Sequence, residues 1–504
     1  MQRTSLIVGA LLVAFWAIWT ATRPSTPSEE VPLSLGRRNV VLFVTTAANG
    51  LANVHLATSH TLLSQHPSLE VHYASFAKLK PDVDRAGESI IWHELPPPDI
   101  LATIDRAFGS VAGLAAPPGL KGIDKLAGDV QTMLTPWTVE EHWNLYKSIT
   151  KLIQEVDPAL VVVDPGFRPA VEATQDTNYM HLILCPNSLI DSFAHKQPWA
   201  AILWKYPPVG SGHPYPVPWS LIPTNIYLQA RIIFAAVVAP DVKTKRSYLE
   251  EMGVKKAMDL AGSYRPDVPW LSSSFPEASL PMEFIPEGAK YCGPIVLERA
   301  SLQEQDAEMA EWLRRAPTML VNLGSSVRFN ETQARSMVDA LMPVLEQTDT
   351  QILWKIRRLN VFDDAFLDPV KEHVASRRLR IESWIEADPT ALLATGNIKV
   401  SVHPGGANCY NEAVLYGVPQ VILPRWFDLY NYASTAEYLG VGIWPTKDTA
   451  PDWNSTELGL AFLEALSNET MKKKAQELGE IARQYDGRTM AAREIAAIAA
   501  RGHE

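Results

Sequence analysis

The sequence predicts an α/β protein of two doubly wound, parallel-sheet halves that face a cleft, preceded by an N-terminal membrane anchor. Three observations predict it. Short, nearly continuous β-branched runs alternate with helical stretches, the pattern of strands buried on both faces and joined by crossover helices. The alternation occurs twice, with a proline-rich connector between the two series. The chain of 504 residues is also too long for one ordinary core.

The first element is Leu6 to Thr22, LIVGALLVAFWAIWTAT, an apolar run at the lower limit of length for spanning a bilayer. Trp16 and Trp19 crowd its end where a cleaved leader would place small residues, so a signal anchor is favoured over a cleaved peptide. The expectation is a single-pass protein of the endoplasmic reticulum membrane, or a secreted one if the segment is cleaved. Arg3 competes with Arg23, Arg37 and Arg38 across the run and leaves its orientation open. Three Asn-x-Thr sequons (Asn330, Asn454, Asn468) suit a glycoprotein without deciding the side. Pro24 to Gly36, rich in Pro, Ser and Glu, reads as a linker.

The first series has strands at Asn39–Thr46, Leu69–Ser75, Pro158–Asp164 and His181–Pro186, with a helix over Asn53–Gln65. Gln197 to Trp219 (QPWAAILWKYPPVGSGHPYPVPW) breaks the pattern, because no periodic element survives so many prolines. Such an aromatic, irregular insertion either receives an apolar ligand or merely packs on the body. The connector Pro281–Leu297 is the natural hinge. The second series has strands at Thr318–Gly324, Gln351–Ile356, Leu379–Glu382, Asn397–His403 and Val418–Pro424. Its helices fall at Glu331–Gln347, Tyr430–Leu439, Leu458–Ser467, Met471–Tyr485 and Met490–Ala500. The expected organisation is anchor and linker (1–37), first sheet domain (38–296), second sheet domain (297–470) and C-terminal helices (471–504). Ligands of open parallel sheets sit at the carboxyl ends of the strands, so the cleft between the halves is the expected site.

Composition narrows the chemistry. Hydrophobic residues at 47% and charged residues at 20% exclude a mostly disordered chain, and a net charge of −11 gives no general pull toward nucleic acid. Three cysteines fit neither a disulfide framework nor a Cys-rich metal site. No Walker A, Gly-x-Gly-x-x-Gly, His-Glu-x-x-His or Gly-x-Ser-x-Gly motif occurs. Asp82-Val-Asp84 has the spacing of a metal–diphosphate clamp but stands among Lys78, Lys80 and Arg85, so it reads as a solvated loop.

The densest signal is Val402 to Gly417, VHPGGANCYNEAVLYG. Gly405 and Gly406, at a strand-to-helix turn, let backbone N–H groups approach an anion, and the following helix adds its positive end. Asn408 can donate to a phosphate, and Glu412, one turn on, can accept from sugar hydroxyls.

Trp384 to Gly442 as a whole resembles the nucleotide-sugar signature of the UDP-glycosyltransferases, in a fungal-type form with Trp426-Phe-Asp-Leu-Tyr-Asn-Tyr-Ala. The resemblance implies two Rossmann-like domains in the GT-B arrangement. It also implies inverting transfer of a hexose from a UDP-sugar, which is a co-substrate, with no metal or other cofactor. Trp384 matches the tryptophan that stacks on uracil, Gly406, Asn408 and Glu412 the turn, phosphate and ribose contacts, and Asp428 the acid that reads donor-sugar hydroxyls. Gly324 and Ser325 match the strand end that faces the diphosphate. The sequence departs from the pattern where the family's phosphate-binding His falls on Pro404, its Ser on Cys409 and its Gln on Leu429.

In the first half the family places a general-base His after the first strand, oriented by an Asp that closes a later one. Asp164 matches that Asp, but the His position is Leu51. His55, four residues on, is the replacement candidate, with Asp164 alone as the other. The expected acceptor is a lipophilic small molecule: a polyketide, terpenoid, sterol or other secondary metabolite. The alternative is a protein that keeps the fold, binds a nucleotide sugar or lipid, and has lost turnover.

Overall fold

The computed structural model describes residues 32–237, 240–259, 263–297 and 300–504. The predicted anchor, residues 6–22, and most of its linker lie outside them. The first sheet comprises β1 (Arg37–Val44), β2 (Glu70–Ser75), β3 (Ile91–Glu94), β4 (Pro158–Val163), β5 (His181–Cys185), β6 (Trp270–Ser272) and β7 (Ala289–Tyr291). Its spatial order is β3-β2-β1-β4-β5-β6-β7, and every pairing is parallel. The second sheet comprises β8 (Thr318–Asn322), β9 (Gln351–Lys355), β10 (Leu379–Glu382), β11 (Ile398–His403), β12 (Gln420–Ile422) and β13 (Gly442–Ile443). Its order, β10-β9-β8-β11-β12-β13, is again wholly parallel. The order reverses between β1 and β4 in one sheet and between β8 and β11 in the other, and at such switch points the loops part to leave a crevice.

The strands form where buried apolar runs leave helix no advantage: Val40–Val44, Ala159–Val163 and Met319–Val321 are at most 4% exposed. Four sequence expectations need correction. The first-half helix is Asn49–Gln65, so it starts a full turn before Asn53. Asp82-Val-Asp84 lies in helix Lys80–Ala86, where Asp82 pairs with Arg85 and Asp84 with Lys80, 2.7 Å away. Two residues apart on a helix, the carboxylates point to opposite sides and do not converge. The insertion Gln197–Trp219 keeps one helical turn, Ala201–Trp204. The connector Pro281–Leu297 contributes β7 to the first sheet, a three-residue strand too short to show alternation.

The last helix, Gly487–Ala499, crosses back to the first half. It inserts Ala491, Ala492, Ile495, Ile498 and Ala499 into the apolar core that contains Val41–Val44. Just beyond it, the backbone of His503 bonds to Gly36 (2.9 Å) and Arg38 (2.7 Å) at the edge of β1. The crossing requires glycine at two places. Gly293 has φ +92° and an added Cβ would stand 2.2 Å from Tyr485 Cβ; a Cβ on Gly487 would meet the carbonyl oxygens of Gly293 and Pro294 at 2.6 Å. Apolar packing also joins the halves, Phe275 and Ala278 sharing a cluster with Tyr410, Val414 and Tyr432. Hydrogen bonds add to it: Tyr410 donates to the Ala278 carbonyl (2.8 Å), Asn411 to Ser273 (2.6 Å) and Tyr430 to Ala116 (2.6 Å).

Among the described residues one helical stretch, Trp219–Glu251, is long and apolar enough by composition to cross a membrane, at mean hydropathy 1.5. Gly293→Ala combines left-handed strain with overpacking and should cost about 2–4 kcal/mol, read as a lower midpoint in urea unfolding.

Candidate functional site

The carboxyl ends of the two sheets enclose a cavity of about 430 Å³. Its floor is the β8/β11 switch point. Gly324, after β8, has φ +77° and donates its N–H to Asn322 Oδ1 (3.1 Å), which fixes the turn. Arg357 donates to the carbonyl of Ser325. After β11 the chain turns through Gly405, whose φ is +90° and whose added Cβ would lie 2.8 Å from the Leu429 carbonyl oxygen. Gly406 then caps helix Ala407–Leu415 in extended conformation, and nothing lies within 4 Å of where its Cβ would stand. A ligand can therefore reach the free N–H groups of that helix end. Pro404, Gly406, Asn408, Cys409 and Glu412 all line the cavity.

His403 does not. It is 2% exposed; Gly405 N–H donates to its Nδ1 (3.1 Å), so Nε2 carries the proton and donates to Gln420 Oε1 (2.8 Å). Burial pulls its pKa down to about 4, and the neutral ring braces the turn from behind. Glu412, 8% exposed, has its carboxyl pushed up to about 8 by burial, with the nearby Asp388 adding to the rise. At neutral pH it is largely protonated and can donate to a hydroxyl as well as accept.

Trp384, 44% exposed, presents its ring on the cavity wall. Lys355 Nζ stands 4.5 Å from the ring centroid and the Arg357 guanidinium 5.6 Å. Lys355 lines the same cavity, and burial lowers its pKa to about 8. Sequence reasoning missed it, although a charged residue closing the buried strand QILWK was a usable signal.

From the first half, Asn49, Gly50 and Asn53 reach the cavity, and the Gly50 carbonyl accepts from Asn408 Nδ2 across the cleft (3.2 Å). His55 does not reach it. Two residues beyond Asn53 it points about 200° round the helix, into the core, edge-on to Phe43, fully buried and with its pKa lowered to about 3. Asp164 is 1% exposed; its Oδ1 accepts from Gly166 N–H (2.7 Å), its Oδ2 has no partner, and burial pushes it up to about 7. The structure therefore brings Gly324, Ser325, Trp384, Gly406, Asn408 and Glu412 to one cavity, with Gly405 shaping its floor, and leaves His55 and Asp164 behind the first-half wall.

A second, mainly apolar cavity of about 420 Å³ adjoins it. Ile202, Tyr206, Pro207 and Pro208 of the proline-rich insertion line it, with Ile232 and Ile233 of helix Ile222–Val237 opposite. Helix Leu429–Leu439 separates the two cavities: Leu429 faces the first, Asn431 and Tyr432 the second. Asp428 sits at the head of that helix, its Oδ2 accepting from Asn187 Nδ2 of the other half (3.3 Å).

No family model matches the chain. It is 32% identical over 502 aligned residues to the glycosyltransferase sdnJ of Sordaria araneosa, an alignment covering 90% of this chain and 97% of that one. The chain belongs to the UDP-glycosyltransferase family. Solved UDP-glycosyltransferase-type structures share the fold. The kitacinnamycin glycotransferase superposes at TM-score 0.62 with 16% identity, covering 91% of this chain and 98% of its own. A UDP-glucosyltransferase from Polygonum tinctorium superposes at TM-score 0.60 with 18% identity, covering 92% and 99%. This chain's donor is a UDP-sugar and its acceptor a small molecule. Trp384→Ala should weaken UDP binding by about 1–3 kcal/mol with little change in thermal stability, measured by isothermal titration.

Proposed function

We propose that this UDP-glycosyltransferase transfers a hexose, with inversion at the anomeric carbon, to a lipophilic small molecule of the polyketide, terpenoid or sterol kind. The observation that carries the proposal is the apolar cavity of about 420 Å³ sharing the wall Leu429–Leu439 with the polar one. A hydrophobic acceptor enters the first and a charged donor the second, and only the head of one helix lies between them. The Polygonum tinctorium enzyme glucosylates indoxyl, itself a flat, largely apolar molecule.

In this reading uracil stacks on Trp384 and the ribose hydroxyls meet Glu412. The diphosphate lies on Gly324, Ser325, Gly406 and Asn408, and Asp428 reads the sugar. Charge growing on the departing UDP meets the positive end of helix Ala407–Leu415 and the ammonium of Lys355, which supply without a metal ion the stabilisation that a leaving diphosphate needs. The apolar run at residues 6–22 holds the enzyme on a membrane into which such acceptors partition.

The second reading, a nucleotide-sugar binding protein without turnover, is favoured by Leu51 at the expected base position together with the burial of His55. Product formation separates the two. The full chain, given UDP-glucose, UDP-galactose or UDP-glucuronate with a panel of lipophilic alcohols and phenols, should release UDP well above donor hydrolysis. The glycoside formed should be the β-anomer from an α-linked donor by NMR. UDP binding with no product from any pair would overturn the transfer reading in favour of the second.

A further inference from the structure

Transfer to a hydroxyl needs a proton acceptor beside the attacking oxygen, and neither His55 nor Asp164 is open to a cavity. One carboxylate is. Asp191 lies in the first turn of helix Leu189–Phe193, directly after β5, and lines the apolar cavity. Its Oδ2 accepts from its own cap, Ser188 N–H (3.2 Å), and from the Tyr432 hydroxyl of the opposite half (3.3 Å). No donor among the described residues reaches Oδ1. The side chain is exposed although protein surrounds it, so the space it is exposed to is the cavity.

We propose that Asp191 is the general base of the transfer, taking the proton of the acceptor hydroxyl as that oxygen attacks the sugar. The proposal rests on the glycosyl-transfer reading above and names the group that performs its first step. The acceptor O–H proton passes to Asp191 Oδ1, and the oxygen lone pair forms the new bond to the anomeric carbon. The bond from that carbon to the β-phosphate oxygen breaks, and UDP leaves with the electron pair. Asp191 then returns its proton to water once the glycoside departs.

Position supports the role. Asn187, four residues before Asp191, holds Asp428, the acid that matches the family's reader of the donor sugar. Asp191 thus stands where the acceptor cavity meets the sugar end of the donor. Its surroundings suit proton abstraction. Burial first, and the like charge of Asp428 second, push its carboxyl up to about 7, where a base is strong and still substantially ionised at physiological pH. The other titratable groups around it are held neutral. Burial raises Tyr432 and Tyr291 above the ordinary tyrosine range and Cys185 to about 12, while His195, on the same cavity, is lowered to about 4. Asp428 is the one neighbour that shares the negative charge.

The test uses the full chain with Asp191→Asn and Asp191→Glu. With an aliphatic alcohol acceptor, Asp191→Asn should lower kcat by about 100-fold or more, remove the acidic limb of the pH–rate profile near neutrality, and leave UDP affinity unchanged. Asp191→Glu should restore part of the rate. With 4-nitrophenol, a far more acidic acceptor, the loss should be roughly tenfold or less, because less proton transfer is needed. A kcat for Asp191→Asn within about threefold of the unaltered chain on the alcohol overturns the base while leaving the transfer reading intact. A separate arm needs no turnover. Binding of 4-nitrophenol to the UDP-loaded chain, followed by its absorbance, should weaken at least tenfold in Asp191→Asn, and equal binding overturns the contact. If the unaltered chain releases no UDP with any acceptor, the transfer reading falls and the base role with it, whatever the phenol shows.

Discussion

Parallel pairing is the constraint on which the rest of this enzyme depends. A sheet whose strands all run one way gathers every strand-to-helix turn at a single edge, together with the positive ends of the helices that follow. Two such sheets set edge to edge therefore make a cleft lined with backbone donors before any side chain is chosen. Reversal of strand order between β1 and β4, and between β8 and β11, opens each edge at one place. The side chains refine what the backbone already offers: Trp384 as a flat platform on the wall, Glu412 as a buried carboxyl beside the turn, and Asn408 reaching across to the Gly50 carbonyl.

The long strands and the second-half site were legible in the sequence because their signals are local. A run such as Leu-Val-Val-Val is apolar on both faces whatever surrounds it, and Gly405-Gly406 before a helix describes its own turn. β3, β6 and β7, of three or four residues, were not legible. They exist because β2 and β5 offer edges to pair with, a tertiary cause that leaves no periodicity. The position of His55 failed for a related reason. Asn49 and Asn53, four residues apart on that helix, share the cleft side, and His55, about 200° beyond Asn53, faces the core, a direction set by how the helix packs on the sheet.

The apolar cavity shows how far composition can point. The proline and aromatic insertion was recognisable as irregular, and its contribution of Tyr206 and Pro207 to a cavity follows from the irregular backbone beyond its helical turn Ala201–Trp204. The polar residues that complete that cavity, Asp191 and Tyr432, come from helix starts 241 positions apart and meet only through the fold. No spacing rule finds such a pair. Leu51, where a base belongs in the family pattern, marks the same limit from the other side: sequence shows a function missing without showing what stands in for it.

The return of helix Gly487–Ala499 to the first half bears on how the chain is made. Synthesis runs from the amino end, and a domain usually folds as it emerges. Here the first sheet's core includes Ala491, Ile495 and Ala499, and the edge of β1 is tied to His503. That core stays open until residues 491–503 leave the ribosome, with the strands of the second sheet already outside. Completion of the first domain thus follows synthesis of the second, and a nascent chain stalled before residue 499 carries an unfinished apolar face for chaperones to hold.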